Sequence, residues 1–347
     1  MKWIKFIFFP LLWINTILAE IFWDGRFYQQ SLLLFKQDPK YIGLTTLDLK
    51  LDVIPADILR IRSEMEYTLL VDRSNSFFID HNPSGVTINS LNATLTPRNF
   101  RFTIGRFLPN WGKGKIFRPL DIFRPQIYFL NMFSFQGVDG FSTKYYLSDL
   151  SSVQFITIPS VEVRNLLPSI DSSLTDTINH SLVGFNLETH IATFDNNIIF
   201  VKDVSAGNNI TGLAFKGDVI IGIWGEFFFS FDNELKSDIF RGTLGADYSF
   251  AKYFFVSLEY FYDESGMKDY NDYISLRQIP RMTLGREYIM FDFSVLTYDE
   301  WNYGVTYLGN LLDRSFLLFP YLKYEIGGNT IVGISSVSYT HLTLPTN

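Results

Sequence analysis

With 35 Phe, 19 Tyr and 6 Trp in 347 residues, the chain has more large rings than one soluble core readily hides, which favours a lipid-embedded barrel. Its 29 basic and 36 acidic residues give a formal charge of −7, which argues against nucleic acid as a partner. The absence of cysteine excludes disulfides, thiolate metal ligands and a cysteine nucleophile.

Residues 1–19 are predicted to be a secretory signal peptide. Two lysines form a short basic start, an apolar run follows over residues 6–14, and we expect cleavage after the small residue Ala19. The alternative is a membrane anchor, but polar residues 15–16 cut the apolar run short of the about 20 residues that span a bilayer. No later stretch reaches that length, so residues 20–336 are predicted as one domain without spanning helices.

From residue 20 onward, apolar and polar residues alternate with a period of two. In the segment 240–250, the even positions carry Phe, Leu, Ala and Tyr, whereas the odd positions carry Arg, Thr, Asp and Ser. A period of two puts these sets on opposite faces of a β-strand, while a helix would mix them. The same pattern recurs in the segments 59–69, 183–191, 254–262, 301–307 and 318–326.

The predicted strands have the length that a membrane requires. Many run for ten or so residues, and a tilted membrane-spanning strand needs about 9–11, against about 5–6 in globular proteins. Short breaks at 195–197, 251–252 and 313–314 alternate with longer polar breaks at 233–238 and 263–272, and residues 166–177 are predicted to form an external loop. We therefore predict an all-β fold, a transmembrane antiparallel up-and-down β-barrel of roughly 16 strands in a Gram-negative outer membrane.

Charged residues occupy the polar face of the strand predicted at 59–69. Arg60, Arg62, Glu64 and Glu66 are candidate pore-lining residues, which we expect to form a ladder of opposite charges with cross-strand pairs. In a soluble β-sandwich the same face would be the solvated outer surface. Periodicity alone does not separate these two interpretations.

One segment, residues 109–135, breaks the strand pattern. The positions that give it and the preceding strand their character are Gly105, Arg106, Trp111, Gly112, Gly114, Pro119, Asp121 and Phe123. They resemble a signature of bacterial outer-membrane porin-like proteins, in which a strand ending in Gly-Arg leads to Trp-Gly-x-Gly and then to a Pro-x-Asp-x-aromatic turn. The resemblance implies a β-barrel pore and no particular solute. We expect Gly112 and Gly114 to allow positive φ and close backbone approach, and Pro119 to end ladder pairing.

The same segment carries a basic cluster of Lys113, Lys115, Arg118 and Arg124. Our hypothesis is that the segment folds inward, because non-strand backbone at membrane depth is tolerated only within protein or beside a water-filled cavity. The cluster would then lie in or near a pore and favour anions. The alternative is a turn at one rim, whose basic side chains are solvated or face lipid headgroups.

Enzymatic chemistry has little support in the sequence. None of the four histidines has a metal-ligand spacing, and residues 112–115 lack the spacing of a phosphate-binding loop. We therefore predict no metal and no other cofactor. A hydrolytic Ser-His-acid site around His190 and Glu188 is imaginable, but a lumen histidine is the simpler interpretation, and no catalytic residue is assigned.

Residues 337–347 are predicted to be a non-native tail. They do not have the pattern of a closing strand, they end on no aromatic residue, and they resemble translated sequencing-adapter DNA. We expect the native protein to continue past Ser336, so that the barrel encoded by this sequence is truncated at its C-terminus.

The sequence thus predicts a porin-like channel, not an enzyme, for passive diffusion of small hydrophilic solutes, with an anion preference that comes from the basic segment. The alternative is a non-conducting outer-membrane barrel with a structural or surface-binding role. Expected partners are outer-membrane lipid, the solutes, the barrel-assembly machinery and further copies of the chain, with no nucleic acid.

Overall fold

The computed structural model describes residues 20–34, 40–72, 85–123, 137–163, 178–205, 207–231, 238–251, 253–267, 285–296, 301–326, 330–335 and 338–340. The leader, the loop predicted at 166–177 and Arg124 lie outside these residues. The strands are β1 (Glu20–Leu34), β2 (Lys40–Ala56), β3 (Leu59–Asp72), β4 (Gly85–Leu95), β5 (Phe100–Phe107), β6 (Val138–Ser148), β7 (Ser151–Val163), β8 (Ile178–Ile191), β9 (Phe194–Asp203), β10 (Asn209–Asp218), β11 (Gly222–Phe231), β12 (Asp238–Phe250), β13 (Phe254–Asp263), β14 (Glu287–Leu296), β15 (Trp301–Asn310), β16 (Phe316–Ile326), β17 (Thr330–Ser335) and β18 (Ser338–Thr340).

The chain divides into two compact units, each built on consecutive antiparallel strands. In the first unit, β1 to β7 form a meander in which every strand pairs with the next. In the second unit, β9 to β17 do the same, and the non-strand segment 110–122 belongs to this unit. The all-β, antiparallel, up-and-down prediction is confirmed, with 18 strands in the described part of the chain against the roughly 16 predicted.

Two details of the strand prediction are wrong. Residues 195–197 are not a turn but lie in β9, because the chain reverses at residues 192–193, where Ala192 adopts a φ of 56°. Residues 338–340 of the predicted tail do form a strand, which pairs antiparallel with residues 316–318 of β16. The turn predicted at 313–314 is confirmed, with a φ of 57° at Arg314. The turn predicted at 251–252 is confirmed at Ala251, which has a φ of 52°, while Lys252 lies outside the described residues.

The two faces of each long strand in the second unit differ as the alternation predicts. Leu244 of β12 and Leu258 of β13 are 48% and 46% exposed, whereas their neighbours Thr243 and Ser257 are each only 1% exposed. The exposed face is therefore apolar and the covered face is polar, which is the reverse of a soluble β-protein. Such an outer face is suited to lipid.

Gly105 of β5 is a position where the backbone requires glycine. Its φ is +111°, and a Cβ atom there would lie 2.4 Å from the carbonyl oxygen of Leu91 on the paired strand β4. We expect Gly105→Ala to lower the free energy of unfolding by about 1–3 kcal/mol, because a side chain is strained in this conformation. Urea unfolding in lipid vesicles measures the loss. Gly85→Ala is the matched control, since a Cβ at Gly85 meets nothing within 4 Å, and equal losses for both variants would contradict the prediction.

Candidate functional site

The charged residues predicted on β3 form ion pairs with β2. Asp52 accepts hydrogen bonds from Arg60 Nη2 at 2.6 Å and from Arg62 Nε at 3.0 Å. Lys50 Nζ lies 2.7 Å from Glu64 Oε1. The geometry is thus a ladder of opposite charges that runs across two strands. These side chains are partly exposed, so each pair contributes at most about 1 kcal/mol to stability, and their importance is the polar wall that they form.

Two further charged residues, Glu66 of β3 and Arg106 of β5, also lie on strands of the first unit. Glu66 is buried and stands opposite Asp48 in the β2–β3 register. Arg106 forms a bidentate ion pair with Asp139 on β6, in which Nε donates to Oδ1 at 3.0 Å and Nη2 donates to Oδ2 at 2.5 Å. In the Gly-Arg of the signature, near the end of β5, Gly105 thus shapes the backbone and Arg106 ties β5 to β6.

In the second unit, the segment 110–122 is closed on itself by Asp121. The Asp121 Oδ1 atom accepts hydrogen bonds from the backbone N–H groups of Trp111, at 3.3 Å, and Gly112, at 3.5 Å. The Asp121 N–H donates to the Arg118 carbonyl at 3.0 Å, which makes a tight turn with Pro119 at its second position, where the fixed φ of proline is favourable. The Pro-x-Asp element of the signature thus links the two ends of the segment through the hydrogen bonds of Asp121.

Glu226 of β11 is the first of two buried carboxylates that hold this segment. Its Oε1 accepts hydrogen bonds from the backbone N–H groups of Lys113 and Gly114, and its Oε2 accepts one from Leu120 at 3.0 Å. Its side chain has no exposed surface. Three backbone donors that lack a sheet partner are therefore satisfied by one side chain, as buried backbone groups require.

Glu259 of β13 is the second carboxylate and is also fully buried. Its Oε1 accepts from the backbone N–H groups of Ile116, at 3.0 Å, and Phe117, at 2.8 Å. Its Oε2 accepts from the Lys115 N–H and from the Trp224 indole, both at 2.7 Å. Together the two glutamates satisfy six backbone N–H groups of the segment, which explains how non-strand backbone is accommodated against the sheet.

The two glycines of the Trp-Gly-x-Gly element serve close approach, and the expectation of positive φ at them is wrong. Among the described residues, the glycines with positive φ are Gly105 and Gly207. A Cβ at Gly112 would lie 3.1 Å from Glu226 Oε1, and one at Gly114 would overlap the Phe117 carbonyl and lie 3.3 Å from the same Oε1. Glycine is needed at both positions because the Glu226 carboxylate lies against the backbone, where a side chain would leave no room for it.

Apolar side chains of the segment pack against the covered face of the sheet. Phe117 stacks on Phe261 of β13, with ring centroids 4.4 Å apart, and belongs to a cluster with Met290, Leu308 and Leu317. Leu120 is fully buried and packs where Gly212 of β10 leaves room, since a Cβ there would overlap it. The side chain of Trp111 is buried as well, and so is that of Phe123, which follows the segment and belongs to the first unit. The covered face of the sheet is therefore not polar throughout, because part of it packs against the apolar side chains of the segment.

Two of the three described members of the basic cluster, Lys115 and Arg118, are paired with acidic groups. Lys115 Nζ lies 2.7 Å from Asp247 Oδ2 and 3.1 Å from Ser257 Oγ, above the rings of Trp224 and Phe255. Arg118 Nε donates to the Gly114 carbonyl at 2.6 Å, and its Nη1 lies 3.8 Å from Asp121 Oδ2.

The formal charges of this site nearly cancel. The segment carries the basic side chains of Lys113, Lys115 and Arg118, and the carboxylates of Asp121, Glu226, Asp247 and Glu259 contact its backbone or these side chains. Within the described part of the chain, no acidic side chain lies within ion-pair distance of Lys113 Nζ. Any field that favours anions therefore depends on Lys113 and the partly exposed Arg118 more than on Lys115.

Sequence reasoning assigned no role at this site to Glu226, Trp224 or Gly245. Trp224 packs over Gly245 of β12, where a Cβ would overlap the indole, and so reaches Glu259. The sequence does contain one hint of this site. Glu226 is the only carboxylate in the aromatic strand GIWGEFFFSF, and it lies two residues after Trp224, on the same face of the strand. A buried acid in such a strand needs partners, which the sequence does not identify.

The long, consecutive antiparallel strands, apolar on the exposed face and polar on the other, together with a non-strand segment seated on the polar face, define a porin-type fold. No protein-family model and no curated protein matches the sequence. Solved structures do. OpdQ of Pseudomonas aeruginosa matches with a TM-score of 0.61 and 9% identity, over 93% of each chain. OccAB2 of Acinetobacter baumannii matches with a TM-score of 0.60 and 9% identity, over 96% of this chain and 94% of that one.

OmpF of Salmonella typhi, in a complex with daunomycin, matches with a TM-score of 0.53 and 12% identity, over 85% of this chain and 91% of that one. These neighbours are bacterial outer-membrane porins, and the similarity shows that this chain has their all-β, up-and-down barrel fold. At such identities it shows the fold alone. Among the described residues, no helix has the length and apolar character to cross a membrane.

Proposed function

We propose that the protein is an outer-membrane channel for passive diffusion of small hydrophilic solutes. The observation that carries the proposal is the division of faces on a porin fold, with apolar side chains exposed on one side and a partly exposed ladder of Asp52, Arg60, Arg62, Lys50 and Glu64 on the other. Charged residues at such exposure are hydrated, and a wet charged wall is what a diffusion pore requires.

Liposome swelling tests the proposal. Vesicles that contain the protein should swell in iso-osmotic solutions of small sugars or amino acids, at a rate that falls as solute size rises. A swelling rate equal to that of protein-free vesicles would reject it. The assay needs no assumption about the solute, since the proposed filter works by size and charge.

An anion preference is part of the proposal and is assigned to Lys113 and Arg118. We expect the double variant Lys113→Glu, Arg118→Glu to lower the anion-to-cation permeability ratio at least about twofold, because it reverses two charges on the segment 110–122. Reversal potentials in a salt gradient across a planar bilayer give the ratio. Lys202→Glu is the control, since Lys202 is exposed on the same face of β9 as the exposed Ile198 and Phe200. An unchanged ratio in the double variant would remove the anion preference from the proposal.

A non-conducting barrel with a structural or surface-binding role is the second candidate. The burial of Trp111, Phe117 and Leu120 favours it, since the segment occupies space on the face that a pore would use. In that case the intact protein gives no swelling, and deletion of residues 112–120 produces it. Association of further copies of the chain and recognition by barrel-assembly machinery are compatible with either candidate function. Native electrophoresis of the detergent-extracted protein tests whether copies of the chain associate.

A further inference from the structure

The two carboxylates that contact the segment 110–122 use both of their oxygens as hydrogen-bond acceptors. Glu226 accepts two N–H groups at Oε1 and one at Oε2, and Glu259 accepts two at each oxygen. An amide side chain in either place would direct an NH2 group at an N–H donor. The contacts therefore select a carboxylate, and a glutamine of nearly the same shape does not replace it.

We propose that Glu226 and Glu259 are positioning residues that latch the segment 110–122 in a single conformation. Six backbone N–H groups depend on them, and these groups have no sheet partner to return to. Losing one carboxylate leaves three buried donors unsatisfied together, so the segment leaves the sheet as a unit, because no local repair satisfies them.

The strand between them supports the latch. β12 lies between β11 and β13 in the antiparallel register, and its Asp247 pairs with Lys115 of the segment. Three adjacent strands thus each hold the segment through one carboxylate. The backbone of β11 and β13 is tied into the sheet along its whole length, which gives the two glutamates a rigid base.

The latch itself stands on these contacts, and only its effect on ion flow rests on the proposed channel function. With the segment fixed, the open channel has one steady current level. With one carboxylate replaced, the segment exchanges between seated and released positions, and the current fluctuates between levels.

Thiol labelling tests the position of the segment directly. The chain has no cysteine, so Leu120→Cys introduces a single thiol at a fully buried position. We expect Glu226→Gln and Glu259→Gln, made in this background, to raise the maleimide labelling rate of that thiol at least about tenfold, because local opening exposes it. Glu325→Gln, at an exposed glutamate of β16, should leave the rate unchanged. The heat-dependent electrophoretic mobility of each variant shows that the barrel is folded.

Two further measurements keep the outcomes distinct. If Glu226→Gln does not assemble, Glu226→Met removes the acceptors without burying an amide, and it should also raise the labelling rate. If a variant that combines Leu120→Cys with Glu226→Gln or Glu259→Gln folds but its thiol labels no faster than that of Leu120→Cys alone, the latch is overturned. If labelling responds but the wild-type protein carries no current, the channel function fails and the latch stands.

Discussion

Replacing Leu49 with arginine is expected to destabilise folding into a bilayer by about 2–4 kcal/mol, the cost of a basic side chain near the bilayer midplane on the lipid face of a barrel. Leu49 lies near the middle of β2, is 45% exposed, and shares its face with the exposed side chains of Leu47 and Leu51. The urea dependence of folding into phospholipid vesicles measures the difference.

Lys50→Arg is the matched control for this prediction. It puts the same guanidinium one residue further along β2, on the face where Lys50 pairs with Glu64. The change should stay within about 0.5 kcal/mol. If both variants lose the same stability, or neither does, the exposed apolar face of β2 does not face lipid, and the membrane assignment of the strands is wrong.

Gly114→Ala is expected to dislodge the segment 110–122 and to cost about 1–3 kcal/mol of stability, as overpacking of a closely packed site does. The new Cβ would overlap the Phe117 carbonyl oxygen and press on the Glu226 carboxylate. Neither neighbour is free to yield, because Phe117 is held by Glu259 and Glu226 holds three backbone donors. Urea unfolding in vesicles gives the loss, and single-channel recordings should show added current fluctuations.

Lys113→Ala separates this effect from a loss of charge in the segment. The substitution removes a partly exposed side chain and keeps the backbone N–H that donates to Glu226. Its stability should lie within about 0.5 kcal/mol of the wild type, as for other surface changes. Gly114→Ala with wild-type stability would mean that the segment tolerates displacement, which contradicts its close fit to Glu226.

The strands were predictable because their information is local. The alternation at 240–250 and 254–262 places Leu244 and Leu258 on one face whatever strand lies beside them, and the structure exposes both. The turn at 195–197 was mispredicted for a local reason as well. Asp and Asn residues suggest a turn, but the tight turn at Ala192 and the pairing of β9 with β10 take precedence over that preference.

The signature segment was found by resemblance, and its glycines and its Pro-x-Asp turn were recognised as breaks in the sheet. Their partners were not recognised. Gly112 and Gly114 were expected to need positive φ, but they are glycines because a carboxylate comes close to their backbone. The basic residues were predicted to lie in or near a pore or at one rim, and no acidic partner was predicted for Lys115, which is paired with Asp247 of β12.

By itself, the sequence determined an all-β chain of long antiparallel strands with one apolar face, because side chains of a strand alternate between its faces independently of distant residues. Only the tertiary structure decided where the segment 110–122 is held, and by which groups. Glu226 binds the backbone of Lys113 from 113 residues further along the chain, and Glu259 binds Lys115 from 144 residues further. No local periodicity encodes such contacts, because they depend on which strands the folded sheet brings beneath the segment.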